Sequence, residues 1–158
     1  MKKILIVIMI AIVGASLIKK RNKNEIAIGT ASINKENVIV FVGPSKKAQQ
    51  LWKLHHKNWP IYVIETTKNW VKIIDAYETT GWINKIYVGP AHGLILEETM
   101  ALSLNSEITE VKLLKNSVVK FKKFENSFAL IEVIINGKKK TYKIEAAKIW
   151  LSPKAITK

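Results

Sequence analysis

Aromatic side chains offer the first chemistry in this sequence. Trp52, Trp59, Tyr62 and Trp70 fall close together in the chain, and Trp and Tyr supply rigid, amphipathic contact area that stacks on sugar or peptide faces. Along Trp70 to Ile74 an extended backbone puts Val71 and Ile73 on one face and Trp70, Lys72 and Ile74 on the other. The β-branched pair reads as the buried face, which leaves Trp70 at a rim or on the outer surface. Trp82 follows Gly81, a glycine that marks a bend or bulge, so this ring reads as packing. Trp52, Trp59, Tyr62 and Trp70 are therefore the candidate ligand-binding groove.

Other residue types give little for catalysis or metal binding. The 158 residues include no Cys, and Asp75 is the only Asp. Thiolate zinc sites, disulfide frameworks and Cys nucleophiles are thereby excluded. His55 and His56 are neighbours, so an extended chain points them to opposite sides, and His92 has no nearby carboxylate set to complete a ligand shell. Ser45 and Ser103 stand in turn contexts that polar residues fill for conformational reasons. No nucleophile elbow, zinc-protease helix or phosphate loop occurs. The reading is a non-enzyme that needs no cofactor and no metal.

Lys and Arg number 26 against 12 Asp and Glu, a formal charge of +14 spread along the chain. Such a field speeds association with any polyanion, including anionic cell-wall polymer and anionic membrane surfaces. All the basic residues but Arg21 are Lys. That counts against sequence-specific nucleic-acid readout, for which Arg is the better fork-shaped donor. Lys138, Lys139 and Lys140 flank an Asn136-Gly137 pair and read as the solvated tip of a hairpin, where charge also discourages edge pairing.

The elements that must position these residues are short. Runs rich in Val, Ile and aromatic residues, broken about every 8 to 12 residues by turn residues, predict strands at Val38 to Val42, Ile61 to Glu65, Trp70 to Asp75, Thr80 to Asn84 and Ile86 to Val88. Sliding the chain by 58 positions places Asn58 on Asn116, Val63 on Phe121, Trp70 on Phe128 and Ile73 on Ile131. Beyond Asp75 a slightly larger offset sets Gly81-Trp82 against Thr141-Tyr142. Two tandem β units are expected, residues 36–93 and 97–153, joined around Leu94 to Glu98.

At the N-terminus Lys2 and Lys3 precede an apolar run from Ile4 to Ile18, and Lys19, Lys20, Arg21 and Lys23 follow. Fifteen helical residues reach about 22 Å, short of the roughly 30 Å hydrocarbon core. Residues 1–18 read as a signal peptide, with Val13 and Ala15 as small residues before a cut, or else as an uncleaved anchor whose basic flank snorkels. Residues 19–35 read as a polar linker. Export to the periplasm, free or anchored to the inner membrane and facing the periplasm, is the expected localisation.

The first unit resembles the bacterial SH3-like (SH3b) domains, in particular exported proteins with two such domains in tandem. The likeness is carried by Val42-Gly43-Pro44-Ser45, Trp52, Pro60-Ile61-Tyr62-Val63 with Glu65, Trp70-Val71-Lys72-Ile73 and Gly81-Trp82-Ile83. In the second unit Phe128 replaces the Trp that heads a strand, and Thr141-Tyr142-Lys143 replaces Gly-Trp-Ile. The resemblance implies an all-β chain of two small, partly open barrels after the N-terminal hydrophobic segment. It also implies a non-catalytic role: attachment to peptidoglycan or to an envelope protein partner, through the aromatic groove of the first unit. Two other readings stay open, a nucleic-acid-binding barrel on the cytoplasmic side and a purely structural partner in an envelope complex.

Overall fold

A computed structural model describes residues 26–104 and 110–153. The expected targeting segment and the first part of the expected linker lie outside the described residues. Within them the chain forms two seven-stranded antiparallel sheets. The first comprises β1 (Gly29–Ile33), β2 (Val38–Phe41), β3 (Gln50–Leu54), β4 (Pro60–Thr66), β5 (Trp70–Asp75), β6 (Thr80–Asn84) and, after a 3-10 turn at Lys85–Tyr87, β7 (Val88–Gly89). The second comprises β8 (His92–Ile95), β9 (Thr99–Ser103), β10 (Glu110–Leu113), β11 (Val118–Glu125), β12 (Phe128–Ile135), β13 (Lys138–Glu145) and, after a 3-10 turn at Ala146–Lys148, β14 (Ile149–Trp150).

Alternation builds each core. In β5 Val71 and Ile73 are fully buried while Trp70, Lys72 and Ile74 are half-buried on the other face. Ala31, Ile33, Val38, Val40, Leu54, Ile61, Val63, Val71, Ile73 and Ile83, drawn from β1 to β6, meet in one cluster. Seven flat strands about 4.8 Å apart would span nearly 30 Å, too wide for their inner side chains to converge, so the sheet curls around them. Its end strands β3 and β7 are not paired with each other. Tight turns rely on Asn in the left-handed region, at Asn37, Asn58, Asn116, Asn126 and Asn136, a conformation Asn tolerates better than other side chains. Asn136 and Gly137, at φ 51° and 73°, close the β12–β13 hairpin as a type I′ turn requires.

The two sheets have the same strand order, β3-β2-β6-β5-β4-β1-β7 and β10-β9-β13-β12-β11-β8-β14. Their turns also match bond for bond. Asn58 N–H donates to Ile33 O and Asn116 N–H to Ile95 O, both at 2.8 Å; Lys85 N–H donates to Asn69 O and Ala146 N–H to Ser127 O, both at 2.9 Å. A register shift falls between Val63 and Glu65 and again between Phe121 and Lys123. Offset 58 therefore holds through β4 and β5. For β6 the pairing corrects the sequence alignment by one residue. Ile73 faces Gly81, while its counterpart Ile131 faces Tyr142, so Gly81 corresponds to Tyr142 and Trp82 to Lys143. A slip of one residue exchanges the faces of a strand: Tyr142 belongs to the core of its unit, and Trp82, though 9% exposed, lies on the outer face.

Gly81 is required by close approach and not by a bend. A methyl group there would overlap Val40 Cγ1 and sit 3.1 Å from Phe41 O. The second unit solves the same volume problem in reverse, with bulky Tyr142 beside Ala101, the counterpart of Val40, both fully buried. The hydroxyl of Tyr142 has no hydrogen-bond partner there.

Three further expectations change. Gly29–Ile33, assigned to the linker, is a strand, because Ala31 and Ile33 enter the core and Ser32, fully buried, donates its hydroxyl to Pro90 O at 2.6 Å. Gln50–Leu54 forms β3 although no strand is expected there. Ile86 to Val88 is mostly the 3-10 turn, since the Asn84 side chain accepts from Ile86 N–H at 3.1 Å and caps it. The joint between units accordingly lies at Pro90-Ala91, upstream of the expected Leu94 to Glu98, because β8 already pairs with β11 and β14.

Polar bonds fix this joint. Thr30 Oγ1 donates to Leu151 O at 2.8 Å, and Phe121 N–H donates to Ala91 O at 3.1 Å. His92 Nδ1 lies 3.0 Å from both Ser32 Oγ and Pro90 O; Pro90 O can only accept, so Nδ1 carries the proton. Burial, opposed by the bond to Pro90 O and assisted by the charge of Lys120, holds the His92 pKa below its ordinary 6.5.

Two outcomes follow for stability. The folded chain binds the His92 proton less tightly than the unfolded chain, so this contribution is complete above about pH 6.5 and is lost as pH falls through the folded value. The thermal midpoint should drop between about pH 7 and about pH 5, and His92→Gln should flatten that drop; an unchanged profile in the variant would remove the assignment. Gly81→Ala should cost about 1–3 kcal/mol by overpacking. Combining it with Val40→Ala, which recreates the small partner found beside Tyr142, should lose less than the sum of the single changes, measured by urea unfolding.

Candidate functional site

Trp70 opens β5, and the turn before it locks the ring's position. Thr67 N–H donates to Trp70 O at 2.8 Å, and Trp70 N–H donates back to Thr67 Oγ1 at 3.2 Å. The indole meets Phe41 edge to face, with centroids 5.5 Å apart and planes at 88°, a favoured arrangement of aromatic quadrupoles. Two adjoining grooves, about 900 and 370 Å3, share Trp70, Lys46, Asn84 and Ile86. Lys68 and Lys85 complete the first and Lys35 the second, and no acid lines either. Lys35 Nζ lies 5.6 Å from the centre of the Tyr87 ring, and Ile86, 70% exposed, adds apolar surface from the 3-10 turn.

The electrostatics of the two units differ. Among the described residues every ion pair belongs to the second unit. There Lys120, Lys122 and Lys139 approach Glu132 at 3.4, 3.5 and 3.7 Å. Desolvation works against the Glu132 carboxylate, yet these lysines hold its pKa below the ordinary value. Lys139 of the hairpin tip is thus partly neutralised, while Lys138 points to solvent. Around Trp70, Lys35, Lys46, Lys68 and Lys85 have no carboxylate partner among the described residues.

The structure does not bring the four candidate aromatic residues into one groove. Trp52 and Trp59 line a separate cleft of about 300 Å3 with Asp75 and Tyr77, at the far end of β5 from Trp70, roughly 17 Å away at 3.4 Å per residue. Tyr62 lies half-buried on β4, opposite Thr30 and Ile74, and lines neither place. Sequence reasoning missed Tyr77 and the lysine set. Tyr77 stands in an Asp-Ala-Tyr-Glu-Thr turn whose Asp and Glu signal polarity and not an aromatic site, and the lysines come from four separate loops and turns. Among the described residues no three His, Asp or Glu side chains gather as a metal site requires.

Comparison with known proteins agrees with this geometry at one level. No curated protein matches the chain. Solved structures of NlpC2 and NlpC1 from Trichomonas vaginalis are similar over 80% and 83% of the chain, at 12% identity and TM-score 0.33 in each case, and the chain spans about half of their length, 49% and 48%. Residues 34–88, from just after β1 to the start of β7, match the family model of the bacterial SH3 domain, and they contain the Trp70 groove entire except for Ile26. Over residues 34–88 the chain is therefore similar to the bacterial SH3 domain.

Proposed function

We propose that this protein is a non-catalytic module of the cell envelope that holds an anionic cell-wall polymer in the Trp70 groove of its first unit. The observation that carries the reading is the set of four lysines around an anchored indole, none of them paired with a carboxylate, in a chain whose other unit pairs six of its ten described lysines. The lysines attract the polymer over a Debye length of about 10 Å. Trp70, Phe41 and Ile86 supply the short-range apolar contact that distinguishes one polyanion from another. The bacterial SH3 match supports attachment to the wall over nucleic-acid binding.

The second unit is a divergent SH3-like copy, a reading supported by the common strand order and the matching turn bonds. It keeps the scaffold and not the groove, since Phe128 stands where Trp70 does. Residues 1–18 direct export, as a cleaved signal or as an inner-membrane anchor that leaves both units facing the periplasm.

Sedimentation with purified cell-wall sacculi over a salt series tests the site. The protein should co-sediment, and Lys46→Gln, Lys68→Gln, Lys85→Gln together should weaken binding at least about tenfold at low salt. Trp70→Ala should remove the part that survives high salt. Equal binding by folded Trp70→Ala and wild type would sink the proposal. For localisation, a periplasm-dependent reporter fused after residue 158 should be active, and should lose activity when residues 1–18 are deleted; activity confined to the cytoplasm would reverse the assignment.

A further inference from the structure

The cleft at the other end of β5 is built as a binding site in its own right. Asp75, 3% exposed, closes the turn that follows: its Oδ1 accepts from Tyr77 N–H at 2.9 Å, Thr79 N–H at 3.0 Å and Thr79 Oγ1 at 2.8 Å. Backbone bonds from Asp75 N–H to Thr79 O and from Glu78 N–H to Asp75 O complete the loop. Such a turn is rigid, and it carries at its tip a tyrosine that is 69% exposed. Packing does not need that ring, yet it is held against Trp59, centroids 5.5 Å apart and planes 33° from parallel. An ordered, exposed aromatic face is what a stacking ligand requires.

One acceptor in the cleft is unspent. Asp75 Oδ2 takes no hydrogen bond among the described residues, all three side-chain bonds going to Oδ1. A sugar hydroxyl can donate to this oxygen while the apolar face of the sugar ring lies on Tyr77 and Trp59.

A second cleft of about 510 Å3 is lined by Tyr77 together with Leu96, Ala146 and Trp150, so Tyr77 is common to both. We propose that the two clefts that share Tyr77 bind an uncharged glycan strand, with one ring on Tyr77 and Trp59 beside Asp75 and further rings running toward Trp150. They share no lining residue with the Trp70 grooves, so they do not depend on the function proposed for those grooves.

Calorimetric titration of the full-length protein with a tetramer of β-1,4-linked N-acetylglucosamine tests this. Wild type and Trp70→Ala should bind alike and with little dependence on salt. Tyr77→Ala, at an exposed turn tip where folding is not at stake, should weaken binding at least tenfold. Trp59→Phe, which keeps a ring and reduces the aromatic surface held against Tyr77, should weaken it severalfold. No binding by folded wild type, or equal binding by Tyr77→Ala, would overturn the assignment. So would saturable binding of tetramethylammonium that Tyr77→Ala abolishes, in preference to the sugar, since the cleft would then be a cation cage.

Discussion

Everything in each unit depends on bringing the inner face of six short strands into one small core. With strands of four to seven residues in the first sheet, each contributes only one or two inner side chains, and the cluster contains only Ala, Val, Leu and Ile among its buried members. A core so small has no room for an indole. Trp52 and Trp59 pack against it from outside, and Trp70 and Trp82 take the opposite face of their strands. Trp52, Trp59 and Trp70 are rim residues because the curl of the sheet leaves them nowhere else, and a rim is where a ligand can reach them; Trp82 is covered on the outer face. The exchange of Val40 and Gly81 for Ala101 and Tyr142 shows how tight the constraint is: the second unit admits one large ring only by shrinking its neighbour to Ala.

From this follows a division between the units. The positions that correspond to Trp52, Trp59 and Trp70 are Val111, Ser117 and Phe128, by the strand pairing and the offset of 58, and the turn that carries Tyr77 is replaced by the longer β12–β13 hairpin. Trp52 and Trp59 thus have counterparts without a ring, and Trp70 has one without an indole N–H. The same backbone thus supports a unit rich in exposed contact groups and one in which glutamates neutralise lysines. The second unit still matters to the first, because Trp150 and the 3-10 turn at Ala146–Lys148 wall the cleft that Tyr77 extends. Ser32, Pro90 and His92 fix the joint beside that wall, Pro90 O accepting from both Ser32 Oγ and His92 Nδ1.

Much of this was legible from residue types, for local reasons. β5 and β6 fall at the expected residues because Trp70 to Asp75 alternates strictly and turn residues bound both strands. The Asn136-Gly137 hairpin is fixed by the two left-handed positions it demands. What escaped depended on distant partners. Thr30 and Ser32 look like linker residues until Leu151 O and Pro90 O accept from them. β3 carries only one fully buried side chain, Leu54, so its pattern is weak. The one-residue error in β6 arose because Gly81-Trp82 looks like Thr141-Tyr142 in bulk, whereas the sheet aligns residues by face. The four aromatic residues read as one groove because they are near in sequence; β5 runs between them and carries Trp70 and Asp75 to opposite ends.

Charge shows the same limit in its sharpest form. A total of +14 gives the strength of the field and no information about where a polyanion would rest. Location comes from which lysines lack carboxylates. The first unit has Glu36, Glu65, Asp75 and Glu78 available, yet none forms an ion pair among the described residues, and Asp75 is committed to its turn. In the second unit Glu97, Glu98, Glu125 and Glu132 all engage lysines. Exposed pairs of this kind contribute little to stability, so their main consequence is electrostatic: they shield part of the lysine charge of the second unit, while the lysines around Trp70 have no such partner. The same first unit keeps its one buried carboxylate, Asp75, at the opposite end of β5, in an aromatic cleft with no acidic neighbour but at the turn. One strand therefore separates a site suited to anions from a site suited to neutral hydroxyl-bearing chains, and a wall polymer that carries both kinds of group could be gripped at two points about 17 Å apart, with the avidity that such spacing allows.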